Sequence, residues 1–275
     1  MYDHQAKKLN EQGTFKEIVV EISARQLSAK SETLRQMSMF LTQAVFMEVC
    51  VHPKPGLVTR HGSGAHTDMS ILTFAAGSAV LAKAFSDLQI LGMKHNGNYQ
   101  ELFGKVRRYG VSAEQELLRV TKGVNTQRGI LFAGGLLAAA AGAALNKGLD
   151  SERLYQAYGI TGIRGEVEAG FPSVRQNGLP GLKEAFAKGA GLNDALVHAL
   201  VHLMTVVQDS NVIWRGGYAK LPFVQQRARD ILAQGSIFTD SGRRLLAESE
   251  ELFRNERISP GGSADLLSVT AALYL

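Results

Sequence analysis

The chain has 275 residues, enough to bury one sizeable core and close to the upper end of what a single domain holds. Hydrophobic residues make up 45% and charged residues 20%, a balance that excludes intrinsic disorder. Thirty Lys and Arg face 25 Asp and Glu, for a net charge of +5, but the basic residues are scattered rather than gathered in tracts, so no nucleic-acid partner is expected.

Residues 1–30 read as an N-terminal appendage. They hold "EIVVEI", the clearest strand signal in the chain, and no long apolar h-region, so no secretion signal is expected. Residues 31–275 read as a single all-α domain in which glycine-rich loops form one cleft. Leu34, Met37, Leu41 and Val45 make the first helical stripe. Continuing from Met37 through Leu41 and Ala44 brings Glu48 onto the same inward face, where an ionised carboxylate is costly unless paired or bound to metal. Either Glu48 is catalytic or it is half of a buried ion pair with Lys54 or Arg60. Cys50, the single cysteine, excludes an intramolecular disulfide framework and fits a reducing cytoplasm.

Five glycine-bearing segments follow. "PKPGLVTRHGSGAHTDM" (Pro53 to Met69) holds Lys54 and Arg60 on a stiff arm suited to phosphate, and sets His66 and Asp68 beside flexible backbone as base, metal ligand or cap. "GVNTQRG" (Gly123 to Gly129) carries Asn125 and Arg128. After it, "ILFAGGLLAAAAGAAL" (Ile130 to Leu145) falls short of the ~20 residues a bilayer span needs and reads as a tightly packed central helix, so no membrane is expected. "GIRGEVEAGFP" (Gly162 to Pro172) carries Arg164, Glu166 and Glu168. The two glutamates diverge on a helix, and Glu166, directly after "RG", is the one expected to face a site.

A second stripe, Leu196, Leu200, Leu203 and Val207, shares its segment with His198, His202, Thr205 and Asp209, whose spacing imitates a zinc site without any cysteine or HExxH motif to support it. Asp209 also opens the fourth segment, "DSNVIWRGG" (Asp209 to Gly217), with Asn211 and Arg215 behind it, where a carboxylate can hold a metal or take a proton. In the fifth, "SPGGSADLL", Pro260, Gly261 and Gly262 break the backbone, Ser263 can cap, and Asp265 falls in the first turn of a terminal helix. Free N–H groups at such a start suit phosphate or metal-bound phosphate. Each segment mixes glycine with a carboxylate, an amide or a cation, more than a connector requires, and together they suggest one shared site. The chain has no GxxxxGK[ST] loop, no GxGxxG after a strand, no CxxC pair and no GxSxG elbow.

In order from about Met37 to the end, "PKPGLV", "GAHTDM", "GVNT", "TGIRGEVEAGFP", "NV" followed by "RGG", and "SPGGSADLL" closely resemble the signatures of the triphosphoribosyl-dephospho-CoA synthase family. That family makes the prosthetic-group precursor of citrate lyase and, in a sister branch, of malonate decarboxylase; "GAH" resembles the citrate lyase branch. The resemblance implies an all-helical, cytoplasmic transferase that makes 2′-(5″-triphosphoribosyl)-3′-dephospho-CoA and adenine from ATP and 3′-dephospho-CoA. Its product would pass to the transferase that modifies the lyase acyl carrier protein.

On this resemblance, Glu166 or Glu48 accepts the 2′-hydroxyl proton and shields the cationic sugar, while Asp68, Asp209 and Asp265 hold Mg²⁺ on the triphosphate. Lys54, Arg60, Arg128, Arg164 and Arg215 neutralise phosphates, and His66, Asn125, Asn211, Gly261, Gly262 and Ser263 complete the substrate contacts. Three departures fall inside motifs: Gln127 and Arg128 stand where the family usually has His-Lys, Thr59 replaces the aspartate of "LVDR", and "DSN" replaces "DTN". A histidine acting as an acid at position 127 is thus excluded. The alternative readings are a magnesium-dependent ADP-ribosyl hydrolase, which would use water as acceptor, and a basic helical nucleic-acid binder.

Overall fold

Small residues decide how the central helices meet. A computed structural model describes residues 36–147 and 163–275; the expected appendage at 1–30, its "EIVVEI" signal and Leu34 lie outside them. Three of the first helices are α1 (Met37–Cys50), α2 (Ile71–Met93) and α3 (Tyr99–Val120), the last started by Asn98, whose side chain accepts from Glu101 N at 2.9 Å. The alanine- and glycine-rich stretch becomes α4 (Arg128–Lys147), longer than its apolar core because Arg128 and Gly129 join its first turn. Along the α2–α4 seam a Cβ on Gly92 would collide with Ala139 O, and one on Gly142 with Gln89 O. The two backbones therefore approach to a distance that only glycine permits. By length and composition α2 and α4 could each cross a membrane, but they pack on one another instead, and most of the α4 window is buried.

The second half is α5 (Ile163–Glu168), a π turn at Val174–Gly178, α6 (Leu179–Ala187), α7 (Leu192–Met204), α8 (Ser210–Gly216), α9 (Lys220–Ala233), α10 (Asp240–Asn255) and α11 (Gly261–Tyr274). Among the described residues there is no strand, only an isolated antiparallel bridge between Thr59 and Gly62. The fold is all-α. Both stripes read from the sequence face inward: Met37, Leu41 and Val45 in α1, and Leu196, Leu200, Leu203 and Val207 in and after α7, are buried. Each such side chain contributes about 1.5–3 kcal/mol through removal from water.

The terminal helix α11 is buried along nearly its whole length and packs on α1, α4 and α7. That position brings the chain's last segment beside its earlier loops. Gly56, at φ +74°, lets the "PKPG" arm lie where a Cβ would strike Ile258 O, and His66 Nε2 reaches Ser259 Oγ at 2.8 Å.

Candidate functional site

A cavity of about 1710 Å³ opens where these loops meet the starts of α4, α8 and α11. Its walls draw His66 and Asp68 from the first segment, Asn125 and Arg128 from the second, Glu166 from the third, Asn211, Trp214 and Arg215 from the fourth, and Gly261, Gly262 and Asp265 from the fifth, with Glu48 from α1. For Arg164 the structure describes only the backbone, in α5.

Two carboxylates sit low in this wall. Glu48, 6% exposed, is paired with Lys54, whose Nζ lies 2.5 Å from Glu48 Oε1 and 2.6 Å from the Glu48 carbonyl oxygen. Lys54 is itself 1% exposed and does not line the cavity, so the phosphate contact expected of it gives way to a buried ion pair. Asp265 accepts from the backbone N–H of Ile130 in the first turn of α4, and Gly129 is glycine because a Cβ there would run into the Asp265 carboxylate. Burial, and then the charges of Glu48 and Asp209, push the Asp265 carboxyl well above the usual carboxylate range. Glu48 and Asp265 thus set two lining carboxylates against one buried lysine, a donor set that fits a divalent cation better than bare anions.

Asp209 differs from the metal ligand expected. It does not line the cavity but caps two helices at once. Its Oδ1 accepts from Asn211 N at 3.1 Å and Val212 N at 3.4 Å, opening α8; its Oδ2 accepts from Ser263 N at 2.8 Å and Ser263 Oγ at 3.2 Å, opening α11. Burial pushes its carboxyl upward, opposed by these donors. Ser263, expected to touch substrate, is consumed by the same latch and is buried. Gly262 leaves room for Asp209, and a Cβ on Gly261 would stand 2.6 Å from Asn211 Nδ2.

Around the mouth, Glu166 Oε1 accepts from Ser173 Oγ at 2.5 Å and its Oε2 from Ser173 N at 3.0 Å, which fixes the side chain across the turn after α5. Asp68 is exposed, 3.9 Å from His66 Nδ1. Burial, reinforced by Arg215, lowers the His66 pKa to about 4, so its imidazole is neutral near pH 7. Arg128 pairs with Glu114 of α3 at 2.5 Å while still lining the cavity. Arg60 is exposed, donates to His61 Nε2 at 2.9 Å and does not reach the wall.

Two serines carry no clear signal in the sequence: Ser259, which lines the cavity and meets His66, and Ser173, which lies behind Glu166, with only their places before "PGG" and after "FP" to hint at it. Gln127 donates from Nε2 to Ser78 Oγ at 3.1 Å, while its buried Oε1 and the hydroxyl of Thr126 have no hydrogen-bond partner.

The fold and this wall define an all-helical protein that gathers carboxylates, amides and arginines from separate loops around one large cavity. The chain belongs to the CitG family, ATP:dephospho-CoA triphosphoribosyl transferase, whose model matches residues 34–153 and 150–275. It is 35% identical over 280 residues to the 2-(5''-triphosphoribosyl)-3'-dephosphocoenzyme-A synthase of Klebsiella pneumoniae, covering 90% of this chain and 93% of that one. It is 36% identical over 274 residues to the synthase of the same name from Pectobacterium atrosepticum, covering 88% and 89%. Identity to a probable synthase of Malonomonas rubra is 36% over 275 residues, with 87% of each chain covered. No solved structure matches the chain significantly.

Proposed function

We propose that the chain is a cytoplasmic transferase that joins the triphosphoribosyl group of ATP to 3′-dephospho-CoA, releasing adenine. The observation that carries this reading is the cavity: its volume, about 1710 Å³, exceeds the ~300–1,000 Å³ of a pocket for one small ligand, as a site for two nucleotides requires. Family membership supplies the reaction class.

In this reaction the C1′–N9 bond of ATP breaks, a bond forms from C1′ to the 2′-oxygen of dephospho-CoA, and the hydroxyl proton leaves. Glu166, fixed by Ser173, takes that proton; the departing adenine gains one in return. Glu48, locked by Lys54, stands as a fixed negative charge beside the sugar as it becomes cationic. Arg128 and Arg215 face the phosphates, and Asn125, Asn211 and the neutral His66 orient oxygens. Asp265 and Asp68 would hold Mg²⁺, which lowers the charge of the triphosphate. Asp209 and Ser263 act as positioning residues through the starts of α8 and α11, and Lys54 acts through Glu48. The product serves the citrate lyase prosthetic group, the branch to which "GAH" points.

Incubation with Mg²⁺, ATP and dephospho-CoA tests this, with adenine measured and the product weighed by mass spectrometry. Equal amounts of adenine and triphosphoribosyl-dephospho-CoA are expected, with little adenine from ATP alone. CoA bearing its 3′-phosphate should react poorly, because that group crowds the 2′-hydroxyl. Rapid release from ATP alone, with free ribose triphosphate as product, would establish a hydrolase instead.

A further inference from the structure

We propose that Glu184, His198 and His202 form a binding site for a zinc ion that clamps α6 to α7, apart from the cavity. None of the three lines that cavity. Their facing atoms, His198 Nε2, His202 Nε2 and Glu184 Oε2, are separated by 3.1, 3.7 and 3.9 Å. A circle through three points so spaced has a radius of about 2.1 Å, which is the zinc–imidazole and zinc–carboxylate bond length of ~2.0–2.2 Å. An ion at that centre would lie in the plane of the three donors, so shifts of a few tenths of an ångström, towards the ~3.3–3.4 Å donor spacing of a tetrahedron, let it rise from that plane and take a water from the solvent side, where Glu184 is 42% exposed.

The surroundings prepare the ligands. His198 Nδ1 lies 2.9 Å from Ser236 Oγ; donating its proton there leaves the Nε2 lone pair facing the other two groups. The Phe238 ring stands edge-on to His198 at 5.2 Å. The 3.1 Å contact between the two Nε2 atoms is a hydrogen bond, which an ion replaces once the His202 proton moves to Nδ1. Lys188, the cap residue at the end of α6, also faces the group. Its ammonium lies 2.6 Å from Glu184 Oε1 and 4.7 Å from the centre of the Phe238 ring, so it holds the oxygen that the ion does not need.

The sequence pattern had placed Thr205 and Asp209 beside the two histidines. Thr205 Oγ1 instead donates to His202 O at 2.6 Å, Asp209 caps α8 and α11, and the carboxylate comes from the preceding helix.

The test uses the full chain stripped with a chelator and titrated with Zn²⁺ in excess Mg²⁺, without substrates, so its result is independent of the transferase assay. One ion per chain is expected, together with a rise in melting temperature and, with Co²⁺ as probe, the intense visible bands of a tetrahedral site. His202→Asn and Glu184→Gln, both at partly exposed positions, should each weaken binding at least tenfold and abolish the Co²⁺ bands. Absence of a bound ion, binding unchanged in both variants, or the weak spectrum of an octahedral Co²⁺ complex would overturn the proposal.

Discussion

Glycine does opposite work in two regions of this molecule. Along the α2–α4 seam, Gly92 and Gly142 let one helix backbone touch another, and what meets there is close-packed main chain with no ionisable side chain. Around the cavity floor, Gly129, Gly261 and Gly262 let polar side chains approach helix starts: the Asp265 carboxylate on α4, the Asn211 amide and the Asp209 carboxylate on α11. The seam contributes stability without chemistry. The floor carries buried charge at a cost in stability, as a site prepared for a cation and polyanions does.

The largest expected effect breaks the floor. Lys54→Met leaves the Glu48 carboxylate buried without its partner, and should destabilise by about 3–5 kcal/mol in urea unfolding. Adding Glu48→Gln should restore most of that stability while leaving turnover low. If Lys54→Met melts normally, the pair is not what holds this wall.

Next comes Asp265→Asn, which should lower adenine release about 100-fold, or about 2.7 kcal/mol of transition-state stabilisation. The substrate-free variant should nevertheless be more stable than the parent at neutral pH. The sign follows from linkage: a carboxyl whose folded pKa is raised is favourable while protonated, and its contribution is lost as pH rises through that folded value. The amide removes this loss, so the stability profile above the carboxylate range should flatten. A variant that is both inactive and less stable would place Asp265 among the structural groups.

The seam gives the contrast. Gly142→Val drives a branched side chain into Gln89 O and should destabilise by about 1–3 kcal/mol, while turnover per folded molecule at low temperature stays near the parent's.

These contrasts also show what was legible in the sequence. The stripes of α1 and α7 and the small-residue run of α4 could be read because burial imposes a helical period on apolar residues. The partner of α4 could not, since Gly92 sits in an ordinary apolar helix and gives no local signal. Within the site, each of the five segments was visible as glycine beside a polar group, yet the side chains' tasks were not. Asp209 and Asp265 look alike in sequence; one caps two helices and the other faces the cavity, a difference set by the packing of α11. Lys54 was read both as a phosphate ligand and as a partner of Glu48, and only the depth of the "PKPG" arm decides between them. Glu184 was missed because it stands a helix away from the histidines it faces.

A smaller effect appears on acidification. His66 and His198 both have folded pKa values of about 4 against 6.5 unfolded, so the unfolded chain binds protons first and stability should fall as pH drops from about 6.5 towards 4. In the chelator-stripped chain, His66→Gln and His198→Gln should each make that decline shallower, as read by thermal melting across the range.

The smallest expected effect separates two arginines that the sequence treats alike. Arg60 and Arg215 each stand beside glycine-bearing loops, and both are exposed. Arg215 lines the cavity and acts electrostatically on His66, whereas Arg60 turns to His61 away from the wall. A guanidinium that meets a phosphate in a cavity keeps much of its attraction, because the walls exclude screening ions; one in bulk water is screened within a Debye length of ~8–10 Å. Arg215→Ala should therefore raise the KM for ATP by roughly tenfold, a fitting loss for one charge-assisted hydrogen bond. Arg60→Ala should change both KM and kcat by less than about twofold, within the range of an exposed charge. Raising the salt concentration should narrow the gap between the two variants only slightly. A large KM effect at Arg60 with none at Arg215 would mean that the triphosphate lies along the "PKPG" arm, outside the cavity described here.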